Sequence, residues 1–347
     1  METPRMLHSR RYYLGALGAI PAIGLLETQA EAVSQCGMIN VQTYGARGDG
    51  VTDDTNALQT ACNSGQVLFF PKTSAFYKTS HFLDLSNSVY SNGAEIRLAQ
   101  DATSAKSIFR IIQNTQQIII DGFILNGLYT TGTSPNEYSA GVDMRSAVNV
   151  SVLNNTIKNC FGDNVYVGEW IPTVPCQNII ISNNTLLNPY RNNISVTFAD
   201  TVLISNNTIN KTFNYGAGID MEPNPNGTDY VKNVTISGNN FDCVGECAQA
   251  ALNNGIAHTG LLMQKNTATG IIFFRAESSM LSGPMFSHNT FTCKNPAIAP
   301  NAYMFLLGNV TSGTLASNID NTVRAGSYKS VVQYSSTLKL LTNTLHR

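Results

Sequence analysis

Charge is scarce in this chain. Only 12% of the 347 residues are charged, 21 Lys+Arg against 22 Asp+Glu, and the net charge is −1. That excludes a basic field able to hold nucleic acid or an anionic membrane. Tryptophan occurs once, which speaks against the Trp-rich blades of a β-propeller. No CxxC pair and no Cys/His spacing supports a metal cluster. Helical periodicity over ten or more residues is missing, so a helical repeat is excluded. The one apolar run near the N-terminus, Tyr12 to Leu26, is too short to span a membrane and contains Pro21. What is present is 43% hydrophobic residues, enough for a large core and the opposite of a disordered composition. Uncharged Asn, Thr and Ser supply the polarity, and with Val and Ile they suggest stacked β-structure with many turns.

Arg5, Arg10 and Arg11 precede the apolar run, and Ala30-Glu31-Ala32 follows it. This is the layout of a cleaved secretory signal over residues 1–32, with a twin-arginine-like pair, and it implies a periplasmic or secreted protein. All seven cysteines lie beyond it. Export permits disulfides, and Cys243 with Cys247, Cys160 with Cys176, and Cys36 with Cys62 are the expected pairs.

Residues 33–347 read as one domain. Within it Val150-Ser-Val-Leu-Asn-Asn-Thr156, Ile179-Ile-Ile-Ser-Asn-Asn-Thr185 and Val202-Leu-Ile-Ser-Asn-Asn-Thr208 are near copies, and Val234-Thr-Ile-Ser-Gly-Asn-Asn240 continues them. Aligning Asn126, Asn155, Asn184, Asn207, Asn240, Asn266, Asn289, Asn318 and Asn343 gives a mean period of about 27 residues, within the range of solenoids. Short strands flanking Asn-Asn fit the coils of a parallel β-helix over about residues 118–345. Asparagine tolerates the left-handed bend between strands, and stacked amides can bond up and down a ladder. After each Gly or Asn a second strand follows. Side chains alternate along it, so Val142, Met144, Val165, Val167, Ile194, Val196, Ile219 and Met221 face the core. Asp143, Arg145, Tyr166, Asp220 and Glu222 then face outward on one sheet.

The stretch Val41-Gln-Thr-Tyr-Gly-Ala-Arg-Gly-Asp-Gly-Val-Thr-Asp-Asp-Thr-Asn-Ala-Leu58 reads as a strand, a Gly-rich turn and a helix capped near Asp53 to Thr55. It resembles the N-terminal motif of the pectate-lyase superfamily. With the repeats, the resemblance spans roughly residues 38–345. It implies an all-β, single-stranded right-handed parallel β-helix, with a strand and capping helix in residues 38–80. Gly218-Ile-Asp-Met-Glu-Pro-Asn224 matches a signature of the right-handed β-helix repeat subgroup. Superfamily members mostly cut or modify acidic or complex polysaccharides, as monomers or trimers. Motifs of the polygalacturonase branch are absent, which speaks against plain pectin hydrolysis.

Most charge in the repeats gathers between residues 140 and 222. Asp220 and Glu222 share outward parity, and paired carboxylates in a groove fit glycoside hydrolysis. The expected catalytic residues are Asp220, Glu222 and Asp163. The expected substrate-binding residues are Asp143, Arg145, Tyr166, Glu169, Trp170, Arg191, His258 and Arg275. The leading expectation is an exported glycoside hydrolase with no cofactor and a polysaccharide or oligosaccharide as partner. A uronate lyase or C5-epimerase is the alternative within enzymes; Arg145, Arg191, Tyr166 and His258 would serve it, and Asp143, Asp220 and Glu222 could bind Ca²⁺. A non-catalytic glycan-binding or structural module is the alternative outside enzymes.

Overall fold

Alternating apolar residues in short runs, broken by Asn and Gly, build strands whose apolar side chains turn to a shared core. In the computed structural model they stack as parallel strands on three faces, two of which merge into one sheet while the third forms a second, wound right-handed into a β-solenoid of about 9 turns. The structure describes residues 37–345, apart from 100–106, 115, 131–135, 137, 213–214, 252–255, 295–301, 324–327 and 334–336. The signal-like segment and Cys36 lie outside the described residues. Among those described, no helix is long and apolar enough to cross a membrane.

The first face carries Phe109–Ile112, Val142–Arg145, Val165–Gly168, Ile194–Val196, Ala217–Met221 and Glu246–Ala250 in register. The second carries Val148–Leu153, Cys176–Ser182, Ala199–Ser205 and Val231–Ser237. The third carries Thr156–Lys158, Thr185–Leu187, Thr208–Lys211 and Asn240–Cys243. Pairing already runs from Leu68 through Val89 to Ile120, so the solenoid includes strands that lack the Asn-Asn signature. All eight inward positions expected on the first face are buried in the core. Further along, Phe241, Phe273, Phe291 and Phe305 pack against one another inside the coil.

The Asn-Asn pairs divide two tasks between neighbours. Asn154, Asn183 and Asn206 take the left-handed bend, with φ of 56°, 58° and 54°. The ladder is built by the next residue: Asn155, Asn184, Asn207, Asn239, Asn266, Asn289, Asn318 and Asn343. Asn184 shows the pattern. Its Oδ1 accepts from the backbone N–H of Asn155 at 2.9 Å and from Asn155 Nδ2 at 3.1 Å, and its Nδ2 donates to the Val152 carbonyl at 2.8 Å. Two expectations change. Gly238 supplies the bend in its coil, so the ladder residue there is Asn239, not Asn240. Asn126 lies outside the ladder, which ends where Asn155 Oδ1 accepts from the Phe123 N–H.

The expected helix is Thr55–Cys62, with Leu58, Ala61 and Cys62 buried. Asp54 precedes it but turns its carboxylate back to accept from the N–H groups of Arg47 and Gly48, which fixes the Gly-rich turn. Asp53 instead accepts from the Thr55 N–H at 3.0 Å. Neither Cys160 with Cys176 nor Cys243 with Cys247 forms a disulfide among the described residues, where Cys62, Cys160, Cys176, Cys243 and Cys247 are buried free thiols. Cys176 Sγ donates to the carbonyls of Met144 and Gly168, while Cys160 Sγ sits against the Lys158 carbonyl in another corner.

Candidate active site

On the first face, strand register sets one outward row of Arg110, Asp143, Tyr166, Ser195, Asp220, Gln249 and Arg275. The strands' next outward positions bring Arg145, Gly168, Thr197 and Glu222 into a second row. Neighbouring coils stand about 4.8 Å apart, so each row is a stripe of closely spaced side chains.

The two ends of the first row are occupied by internal ion pairs. Asp143 is buried; Arg145 Nε donates to its Oδ1 at 2.8 Å, and Ser107 donates to its Oδ2 at 3.2 Å. The Arg145 guanidinium also lies 5.0 Å over the Tyr166 ring, whose hydroxyl is 3.0 Å from Thr197 Oγ1. Arg275 pairs with Glu246 at 2.6 Å. Arg145 and Arg275 are therefore turned to carboxylates of the chain itself.

Between these ends lies a buried acidic network. Asp163 is fully buried just before the strand Val165–Gly168. Its Oδ1 accepts from the Asn192 N–H at 2.9 Å, Arg191 Nε is 3.8 Å away, and its Oδ2 has no partner. Burial raises its pKa to about 6, against the pull of Arg191. Asn192 joins it to Asp220: Nδ2 donates to Asp220 Oδ2 at 3.1 Å and to Ser195 Oγ at 3.0 Å. Asp220 is 3% exposed and its Oδ1 meets no donor. Burial first, then the charges of Glu222 and Asp163, push its pKa up to about 8, and Glu222 lies within hydrogen-bonding reach. At neutral pH Asp220 therefore keeps a proton that it can donate to the half-buried Glu222.

A second carboxyl pair stands two coils away. Burial raises the pKa of Glu169, and the neighbouring Asp229 carboxylate raises it further. Asp229 is buried, accepting from Asn224 Nδ2 at 2.7 Å and Asn226 Nδ2 at 2.6 Å; Asn226 Nδ2 also lies 3.5 Å from Glu169 Oε2. The loop after Glu222 thus reaches back to Glu169. Trp170 follows Glu169 and is 52% exposed.

His258 is set apart from the network. It lies on the second face beside the inward Leu281, is buried, and neither ring nitrogen has a partner. Burial lowers its pKa to about 4. The unfolded chain therefore binds a proton between about pH 6.5 and 4 that the folded chain does not, and stability falls as pH drops through that window. The variant His258→Leu is expected to gain about 2 kcal/mol at pH 5 and much less at pH 7.5. Denaturant unfolding at the two pH values checks this; an equal effect at both would contradict it.

Asn192, Lys211, Asp229 and Gln249, whose side-chain amide lies within hydrogen-bonding reach of Asp220, belong to the network or its support but were not singled out in the sequence. Among the described residues no group of three or more His, Cys, Asp and Glu is placed to hold a metal ion.

Residues 38–74 match the family model described as rhamnogalacturonase A/epimerase, pectate lyase-like. The match lies within the first coils of the right-handed parallel β-solenoid. No curated protein matches its sequence. Among solved structures, PfbA, a surface adhesin of Streptococcus pneumoniae, aligns with a TM-score of 0.64 at 15% identity, over 88% of this chain and 91% of that one. A tailspike protein of E. coli bacteriophage HK620, solved in complex with pentasaccharide, gives 0.67 at 12% identity, over 88% of this chain and 61% of that one. The tailspike gp49 of Acinetobacter baumannii bacteriophage Fri1, a capsular polysaccharide depolymerase, gives 0.53 at 15% identity, over 91% and 65%. The chain thus spans under two thirds of either tailspike. At these identities the shared feature is the fold.

Proposed function

We propose that this β-helix acts outside the cytoplasm on a polysaccharide and cleaves it by hydrolysis on its first face. The observation that carries the reading is the pair of carboxyl couples, Asp220 with Glu222 and Glu169 with Asp229, each close enough for one carboxyl to hydrogen-bond the other. In each couple the Glu is half-buried and the Asp is buried. Asp220 holds a proton at neutral pH, which suits Glu222 to protonate a leaving glycosidic oxygen. Glu169 then activates water. Glu222 and Gly168, the residue before Glu169, occupy one row two coils apart, about 10 Å between backbones by strand spacing, which leaves room for a water between the two glutamates as inversion requires. Asp163 is too deep to touch substrate; it holds Asn192, which holds Asp220. Trp170 offers a stacking face for a sugar ring. The elimination reading asks Arg145 or Arg191 to neutralise a uronate, but Asp143 and Asp163 already take up both charges.

The test is a panel of neutral and uronate-containing polysaccharides assayed for reducing ends, for unsaturated uronate absorbance and for the anomer first released. Hydrolysis predicts reducing ends with inverted configuration and no unsaturated product. Unsaturated product would establish a lyase. Binding without cleavage of any member would favour a non-catalytic glycan-binding module; the Streptococcus pneumoniae neighbour is a surface adhesin.

A further inference from the structure

Lys211 ends the third-face strand Thr208–Lys211 and is 1% exposed, which is rare for lysine. Its ammonium donates to the Arg191 carbonyl and lies 3.5 Å from the carbonyls of Pro189 and Tyr190. The peptide group that links Arg191 to Asn192 is thereby held at both ends. Its C=O accepts from Lys211, and its N–H donates to Asp163 Oδ1 at 2.9 Å. A buried cation and a buried anion face each other across one peptide group, and each polarises it in the same sense. The side chain of that same Asn192 donates to Asp220.

We infer that Lys211 is the positioning residue of the acidic network, acting as the through-peptide counter-ion of Asp163 and fixing the segment from which Asn192 holds Asp220. The catalytic consequence rests on the reading of Asp220 and Glu222 as the proton-donating couple. Burial lowers the Lys211 pKa to about 8, while the charge of Asp163 opposes that fall. The groups that face this pair are Arg191, which lies on Asp163, Asp220 and Tyr166, which feel the Asp163 charge, and the thiols of Cys243 beside Lys211 and Cys160 beside Asp163. The sign is fixed by charge. Without the ammonium Asp163 binds its proton more tightly, and without the carboxylate Lys211 binds its proton less tightly.

The experiment needs no substrate, so it is separable from the hydrolase reading. Carboxyl carbon resonances of the full chain are titrated in wild type and in Lys211→Met. The Asp163 midpoint is expected to rise by at least about one unit, a tenfold gain in proton affinity. In the reciprocal variant, Asp163→Asn, the Lys211 side-chain resonance is expected to titrate at least tenfold lower, which keeps the test decisive should Lys211→Met fail to fold. An unchanged midpoint in a folded variant of either kind overturns the proposal. With a substrate in hand, the pH optimum of Lys211→Met shifts if the residue positions the couple, whereas a purely structural lysine lowers the amount of folded enzyme without moving the profile.

Discussion

Replacing Asp220 by Asn is expected to make the protein more stable at alkaline pH and nearly inactive. Asp220 is buried, one of its oxygens has no donor, and its carboxyl titrates at about 8 rather than 3.8. The folded chain therefore holds a proton between about pH 4 and 8 that the unfolded chain releases. Stability contributed by this site is present below the unfolded pKa and is lost as pH rises through the folded one. Above pH 8 the buried charge opposes folding in full. The isosteric amide removes that charge, keeps an acceptor for Asn192 Nδ2, and can donate to Glu222. A gain on the order of 3 kcal/mol at pH 9, vanishing near pH 4, follows from the size of the shift after discounting for its coupling to Glu222. Loss of the proton behind Glu222 should lower the rate by about 10²–10⁴-fold, the usual contribution of a general acid. Thermal unfolding of both proteins across pH 4–9 reads the difference and removes the contributions of His258 and Lys211, which both share. A variant that is less stable than wild type at pH 9 would show that Asp220 is ionised and well paired.

The second large effect concerns the ladder. Asn207 makes four side-chain hydrogen bonds: Nδ2 to the Ile181 carbonyl at 2.8 Å and to Asn239 Oδ1 at 3.0 Å, and Oδ1 from the N–H of Asn184 at 2.9 Å and its Nδ2 at 3.1 Å. Asn207→Ala strands those partners in a buried corner and is expected to cost about 3–5 kcal/mol. The preceding Asn206 is exposed and serves the left-handed bend, so Asn206→Gly should be nearly neutral. Chemical denaturation of the two variants compares the tasks directly. Equal losses would mean that bend and ladder are not divided as described.

The coil architecture was legible because its causes repeat. The period, the Asn corner and the alternation of Val142/Met144 or Ile219/Met221 recur every coil and need no partner from elsewhere. Where one coil solves the bend differently, as Gly238 does, alignment by Asn-Asn slips by one residue. The site was half legible. Asp163, Asp220 and Glu222 stand out against a chain so poor in charge, and register does bring them together. Asn192 and Gln249 do not stand out, since Asn and Gln abound and only contact distinguishes a bridging amide from a ladder one. Lys211 reads as a surface lysine until the third face turns it inward. Glu169 was visible as a binding residue, but its partner Asp229 arrives on a loop that folds back two coils, which spacing along the chain does not encode. Parity gave Asp220 and Glu222 a separation of one strand pleat. The structure instead brings Glu222 within hydrogen-bonding reach of Asp220, and in the proposed reading the second carboxylate is therefore Glu169.

The central claim is that two carboxyl couples on the first face cleave a glycosidic bond. Initial rates of reducing-end release by Glu222→Gln and Glu169→Gln, each beside wild type on the best substrate of the panel, test it most directly. Both rates should fall by about 10²-fold or more while substrate binding persists. Full activity in either variant would contradict the assignment.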